Sequence, residues 1–197
     1  MKRICATLVV TALAATSVTA QSQGDWTLGL GLGAVLPKSD NGTVAGTNAT
    51  VDDGYSLTIT GEYFFRDNWG IELLAAAPFA HDVNLAGSFA ASVDHLPPTL
   101  SLNYHVPTDT AWKPYLGIGI NYTTFTDVDS PLGDLDLDDS WSISVQAGID
   151  YAISDRDALR ANIRWIDIDS DVTLNGADIG TAEIDPIVVN FAYVRQF

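Results

Sequence analysis

The side chains in this sequence that could do chemistry fall into three groups. His81 and His95 stand close to Asp82, Asp94 and Ser92, the ingredients of a hydroxyl nucleophile activated by imidazole and oriented by carboxylate. No motif frames the serine, so acyl transfer rests on adjacency alone and is the weaker reading. A second group, Glu62, Glu72, Asp150, Arg160 and Arg164, with His105 and Asn103, mixes both charge signs and could form ion pairs or a proton path. The third is an aspartate run, Asp127, Asp129, Asp134, Asp136, Asp138 and Asp139, which invites a calcium reading. An EF-hand loop starting at Asp134 would need glycine where Asp139 stands and glutamate where Val145 stands, so the motif fails and a solvated acidic loop is the reading kept. No metal or cofactor is expected.

Composition narrows the field further. The one cysteine, Cys5, lies in an N-terminus built like a signal peptide: Lys2 and Arg3, an apolar run from Ile4 to about Ala15, then Val18 and Ala20 before a cleavage point. We expect residues 1–20 to be removed and the mature chain, residues 21–197, to form one domain without disulfide or thiol chemistry. Losing Lys2 and Arg3 leaves 7 basic residues against 25 acidic ones, a net charge near −18. Nucleic acid, which is bound by neutralising phosphates with Lys and Arg, is not an expected partner.

The elements that would position these groups are strands. In WTLGLGLGAVL, residues 26–36, Trp26, Leu28, Leu30, Leu32, Ala34 and Leu36 share one face, and Thr27, Gly29, Gly31, Gly33 and Val35 share the other. Similar alternation predicts eight strands, over 25–36, 55–65, 69–79, 95–106, 113–125, 140–153, 158–168 and 186–197. Short and long connections alternate between them, the long ones running about fourteen to eighteen residues, as in a transmembrane barrel with short periplasmic turns and long outer loops. An eleven-residue strand of ~36 Å, tilted by ~40°, keeps ~28 Å of height, enough for the ~25 Å apolar band of such barrels.

Aromatic residues sit toward the strand ends, as interfacial girdles require. Tyr63, Phe65, Trp69, Tyr104, Trp112, Tyr151, Tyr193 and Phe197 fall on one side; Tyr55, Phe79, Tyr122, Phe125, Trp141 and Trp165 fall on the other. A soluble lipocalin-like barrel would turn its apolar face inward. Here the opposite face carries Ser56, Thr58, Thr60 and Glu62 in one strand and Ser142, Ser144, Gln146 and Asp150 in another, which favours lipid outside.

On these strands the sequence resembles the OmpW family of small outer-membrane proteins. The resemblance is carried by IELLAAAPFAHDV (71–83), HLPPTLSLNYH (95–105), KPYLGIGINYTTF (113–125), DDSWSISVQAGIDY (138–151), RWIDIDSD (164–171) and the stretch from Asp185 to Phe197. It implies an all-β, eight-stranded antiparallel barrel in the outer membrane through which small hydrophobic molecules pass. The terminal Phe197 suits recognition by the barrel-assembly machinery, although Arg195 occupies the place two residues earlier where an apolar side chain is usual.

Face-on alternation then divides the interior. Glu62, Glu72, His105, Asp150, Arg160 and Arg164 make a polar floor in the periplasmic half, either a packed core or an ion path, and in a lumen this narrow it closes the lower half to bulk flow. Above it, Val35, Leu74, Ala76, Pro97, Ile166, Ile168 and Val188, beside the bare Gly29, Gly31 and Gly33, outline an apolar chamber. Pro78, Pro97 and Pro98 remove N–H donors near the outer ends of two neighbouring strands. They mark either a lateral exit into the membrane or simple strand ends. The reading is a passive channel for small hydrophobic molecules, surrounded by outer-membrane lipid and lipopolysaccharide, whose phosphates the acidic loops could bridge weakly through divalent cations. The alternatives are a closed barrel recognised by phage, bacteriocin or host, and a lipid A acyl enzyme.

Overall fold

The computed structural model describes residues 21–197, so the expected signal peptide and Cys5 lie outside the described residues. The chain forms β1 (Trp26–Leu36), β2 (Thr43–Val44), β3 (Thr47–Val51), β4 (Gly54–Arg66) and β5 (Trp69–Ala76). Next come β6 (Phe79–Leu85), β7 (Ser88–Leu96), β8 (Thr99–His105), β9 (Trp112–Asp129) and β10 (Leu135–Leu137). The last are β11 (Ser140–Ala152), β12 (Asp157–Ile166), β13 (Asp169–Leu174), β14 (Ala177–Glu183) and β15 (Ile187–Gln196).

Eight of these, β1, β4, β5, β8, β9, β11, β12 and β15, pair antiparallel in that order. The ladder from Thr27↔Gln196 to Leu36↔Ile187 joins β15 back to β1 and closes the barrel. Its polarity is that of a membrane protein: Leu32 is 65% and Ile118 67% exposed, while Glu62 is 2% and Glu72 1% exposed. Burying two carboxylates and exposing two aliphatic side chains is favourable only where hydrocarbon surrounds the outside. At the end carrying the short turns, Trp26 stacks on Phe197 at 4.5 Å and Trp112 meets Tyr151 at 4.6 Å. At the other end Tyr122 meets Trp141 at 4.8 Å.

Beyond that upper girdle the structure departs from the eight-strand expectation, because the long connections are themselves sheet. β10, β13, β14, β2, β3, β6, β7 and the far end of β9 pair in sequence as a collar on the barrel. Three of its hairpins turn on two successive left-handed residues, Ala45–Gly46, Ala86–Gly87 and Asn175–Gly176. This is the turn geometry whose twist matches paired strands, and glycine adopts its second position without strain.

The spans expected at 69–79 and 95–106 are each broken, at Ala77–Pro78 and at Pro97–Pro98. The first break shifts the alternation by one residue, so Phe79, expected in the aromatic girdle, turns inward and is 1% exposed. Phe125 likewise faces the interior, packed against the same apolar cluster as Phe79.

Candidate functional site

The floor is one connected network. Cross-strand pairing sets Glu62 opposite Glu72 and Asp150 opposite Arg160, all pointing inward. Arg160 donates from Nε and Nη2 to the two oxygens of Asp150, from Nη1 to Glu72 at 2.7 Å, and from Nη2 to Glu62 at 3.3 Å. Arg164 donates to Glu72 at 2.9 Å and to Gln146 at 2.6 Å. His105 donates from Nε2 to Glu62 at 2.9 Å, and Asn103 donates to the same oxygen. Two guanidiniums therefore hydrogen-bond three carboxylates across the lumen, an arrangement that supports a plug.

Tyr115 and Phe64, inward residues that the sequence reading passed over, complete the floor. Tyr115 lies between Arg160, at 4.7 Å from its ring centre, and the His105 ring at 4.9 Å. Its ring covers Gly148, where any Cβ would collide with it. The signal was available: Tyr115 is in phase with Gly117, Gly119 and Asn121 on the inward face of β9.

Above the floor are two cavities. The lower is small, about 20 Å³, and is walled by Leu74, Pro97, Ile166 and Val188, with Glu72 and Arg164 beneath. The upper, a cavity of about 80 Å³, lies inside the collar among Val44, Ala49, Val83, Val93, Leu137 and Val172 with other apolar side chains. A packed cluster of Val35, Phe79, Ile166, Ile168 and Val188, joined by Ala76, lies between them. Ile168 belongs to the upper wall while Phe79, Ile166 and Val188 belong to the lower, so the cluster is the partition.

The residues expected to outline one chamber are thus divided between the lower cavity, the partition and, for Ile168, the upper wall. Gly29, Gly31 and Gly33 line neither cavity. A Cβ on Gly29 would strike Thr60 Oγ1, one on Gly31 would lie 2.5 Å from the Phe191 carbonyl, and one on Gly33 would meet Thr58 at 2.9 Å and Phe79 at 3.3 Å. These glycines admit close neighbours rather than leave a wall bare.

The proline segments border a gap in the hydrogen-bonded ladder of the wall. Ladder pairing of β5 with β8 stops at Leu74↔Thr99, and pairing of β6 with β7 begins at Phe79↔His95. Each border stays tied to its other neighbour: Ala77 N–H donates to the Leu57 carbonyl, and Tyr122 N–H to the Pro98 carbonyl. Leu74 and Pro97, at the gap, are also walls of the lower cavity.

His81 and His95 face inward on the collar, their rings 4.9 Å apart. Asp82 and Ser92 are paired across β6 and β7 one position out of phase with His81, and Asp94 lies opposite Ala80, so alternation turns the carboxylates and the serine away from the imidazoles. The ingredients of acyl transfer are not brought together.

A model described as "OmpW family" matches residues 14–197. Outer membrane protein W of Vibrio cholerae serotype O1 is 33% identical over 199 residues, covering 92% of each chain. The crystal structure of the outer membrane protein OprG from Pseudomonas aeruginosa superposes with a TM-score of 0.79 at 30% identity, over 90% of this chain and 98% of that one. The "Dibenzothiophene metabolism operon protein PahQ" of Pseudomonas aeruginosa is 28% identical over 162 residues, covering 78% of this chain and 77% of its own.

Proposed function

The chain belongs to the OmpW family of outer-membrane barrels, and we propose that it passes small hydrophobic molecules from outside the cell into the membrane. The observation that carries this reading is an apolar chamber held above an ion-paired floor. An apolar molecule that fills the upper chamber and passes the Phe79 partition reaches the lower cavity, meets Glu72 and Arg164, and cannot shed its contacts there for buried charge. The gap between Leu74 and Pro97 is then the exit of least cost, leading sideways into hydrocarbon. The relative named for an operon of dibenzothiophene metabolism, a small apolar aromatic, fits this substrate class.

The test is energy-independent uptake of a short alkane by de-energised cells with and without the protein. Faster uptake with the protein supports the channel. Equal uptake overturns it and favours a closed recognition barrel.

A further inference from the structure

The upper chamber is almost wholly hydrocarbon; apart from Thr123, its polar lining side chains are His81 and His95. The Thr123 hydroxyl is already used, donating to Asn121 at 2.8 Å. The imidazoles are not. His81 Nδ1 lies 2.6 Å from the Asp52 carbonyl oxygen, which can only accept, so Nδ1 carries the proton and Nε2 presents a lone pair. His81 is 6% exposed, and its Nε2 has no partner among the described residues. The ring is held edge-on over Gly54, where a Cβ would come within 2.5 Å of Cε1 and 2.6 Å of Nε2. His95, also 6% exposed, packs its ring against Phe79, Phe125 and His81 and makes no hydrogen bond with the described residues. Both rings belong to the collar, above the upper girdle, and burial favours the neutral form of each, lowering His81 and pulling His95 down to about 3.

A buried acceptor without a partner costs free energy unless something donates to it. We propose that the upper chamber binds neutral, hydroxyl-bearing amphiphiles of the alkanol kind, the hydroxyl donating to His81 Nε2 and accepting from the ring N–H of His95 while the tail lies in the chamber. A hydroxyl matches the pair because it offers one donor and one acceptor at a single atom. A ketone or ester has no proton for His81. A carboxylate has none either, and the charges of Asp52, Asp53 and Asp94, which reach His81, would repel it. An alkylammonium ion would carry its charge into a wall that holds no carboxylate.

The inference rests on the uptake reading, because it takes the upper chamber to be the outer station of the path. It is tested on the whole barrel in phosphatidylcholine nanodiscs, with ¹⁵N-labelled histidine and ¹³C-labelled valine and leucine methyls, titrated with 1-decanol or with decane. Decanol should move the His81 Nε2 resonance saturably, decane should not, and both should move the methyls of Val83 and Val93. In His81→Phe the preference for decanol over decane, read from those methyls, should fall roughly two- to tenfold, the range of one neutral hydrogen bond. If both compounds shift the methyls but decanol leaves the imidazole nitrogens unmoved, the hydroxyl site is overturned and the channel stands. If neither shifts the methyls, the chamber takes no apolar guest and both readings fall.

Discussion

Arg160 and Asp150, direct neighbours across β11 and β12, meet through two parallel hydrogen bonds, Nε to Oδ1 at 2.7 Å and Nη2 to Oδ2 at 2.9 Å. This fork fixes the guanidinium plane, and the fixed plane lets its remaining N–H groups reach Glu72 and Glu62 on the far wall. A strand-local pair thereby ties opposite sides of the barrel together.

Arg160→Met removes the charge that three buried carboxylates share. Breaking such a network from one side costs about 3–5 kcal/mol. Urea unfolding of the barrel in lipid vesicles should show a midpoint lowered accordingly, and Arg160→Lys should recover only part of the loss, since an ammonium cannot hold the fork. An unchanged midpoint would remove the floor as a structural plug.

A covalent bridge across the gap tests the lateral exit. Ala77→Cys with Pro98→Cys, joined by a short bis-maleimide, should abolish uptake of decane while the reduced, unbridged double variant retains it. Uptake that survives bridging would place the exit elsewhere.

Gly31 reports on the fit of β1 against β15. Because a Cβ there would lie 2.5 Å from the Phe191 carbonyl and 2.8 Å from the Ala192 methyl, Gly31→Ala should destabilise by about 1–3 kcal/mol, as overpacking does. The loss should appear as a lower unfolding midpoint and a lower yield of folded barrel, without improved uptake. Gly46, with open space beside it, is not crowded but has φ 73°, so Gly46→Ala should act through local turn strain in the collar alone.

The two collar histidines give a pH dependence of known sign. Burial is the main cause that lowers both, against the favourable fields of Asp53 and Asp94 on His81. The folded chain therefore binds fewer protons than the unfolded one below the ordinary histidine value of 6.5, and stability falls as the pH drops from there toward about 3. At pH 5.5 His95 alone should cost about 1 kcal/mol relative to pH 7.5. Urea midpoints at the two pH values should differ in the wild type, and the difference should shrink in His95→Phe. Direct titration should find His95 neutral at pH 5.5 and His81 titrating below the ordinary histidine value.

The barrel was legible because its signal is local. Within one strand, side chains alternate between lipid and lumen, so Leu57, Ile59, Thr58, Thr60 and Glu62 declare their faces without reference to the rest of the chain. The floor was legible for the same reason, with Tyr115 and Phe64 readable from the same phase. Asn175–Gly176 is a hairpin signal that the sequence carried openly, and with it part of the collar.

What tertiary structure alone decided is where the alternation changes phase and which distant residues meet. The break at Ala77–Pro78 turned Phe79 from the girdle into the partition, and strand-to-strand approach filled the space beside Gly29, Gly31 and Gly33. The upper chamber needed four separate connections to pair with one another, and His81 became an unpartnered acceptor only when Asp52, from another strand connection, claimed its other nitrogen. Alternation is set by backbone geometry over two residues, whereas a cavity is set by pairings between segments tens of residues apart, and no local pattern carries that information.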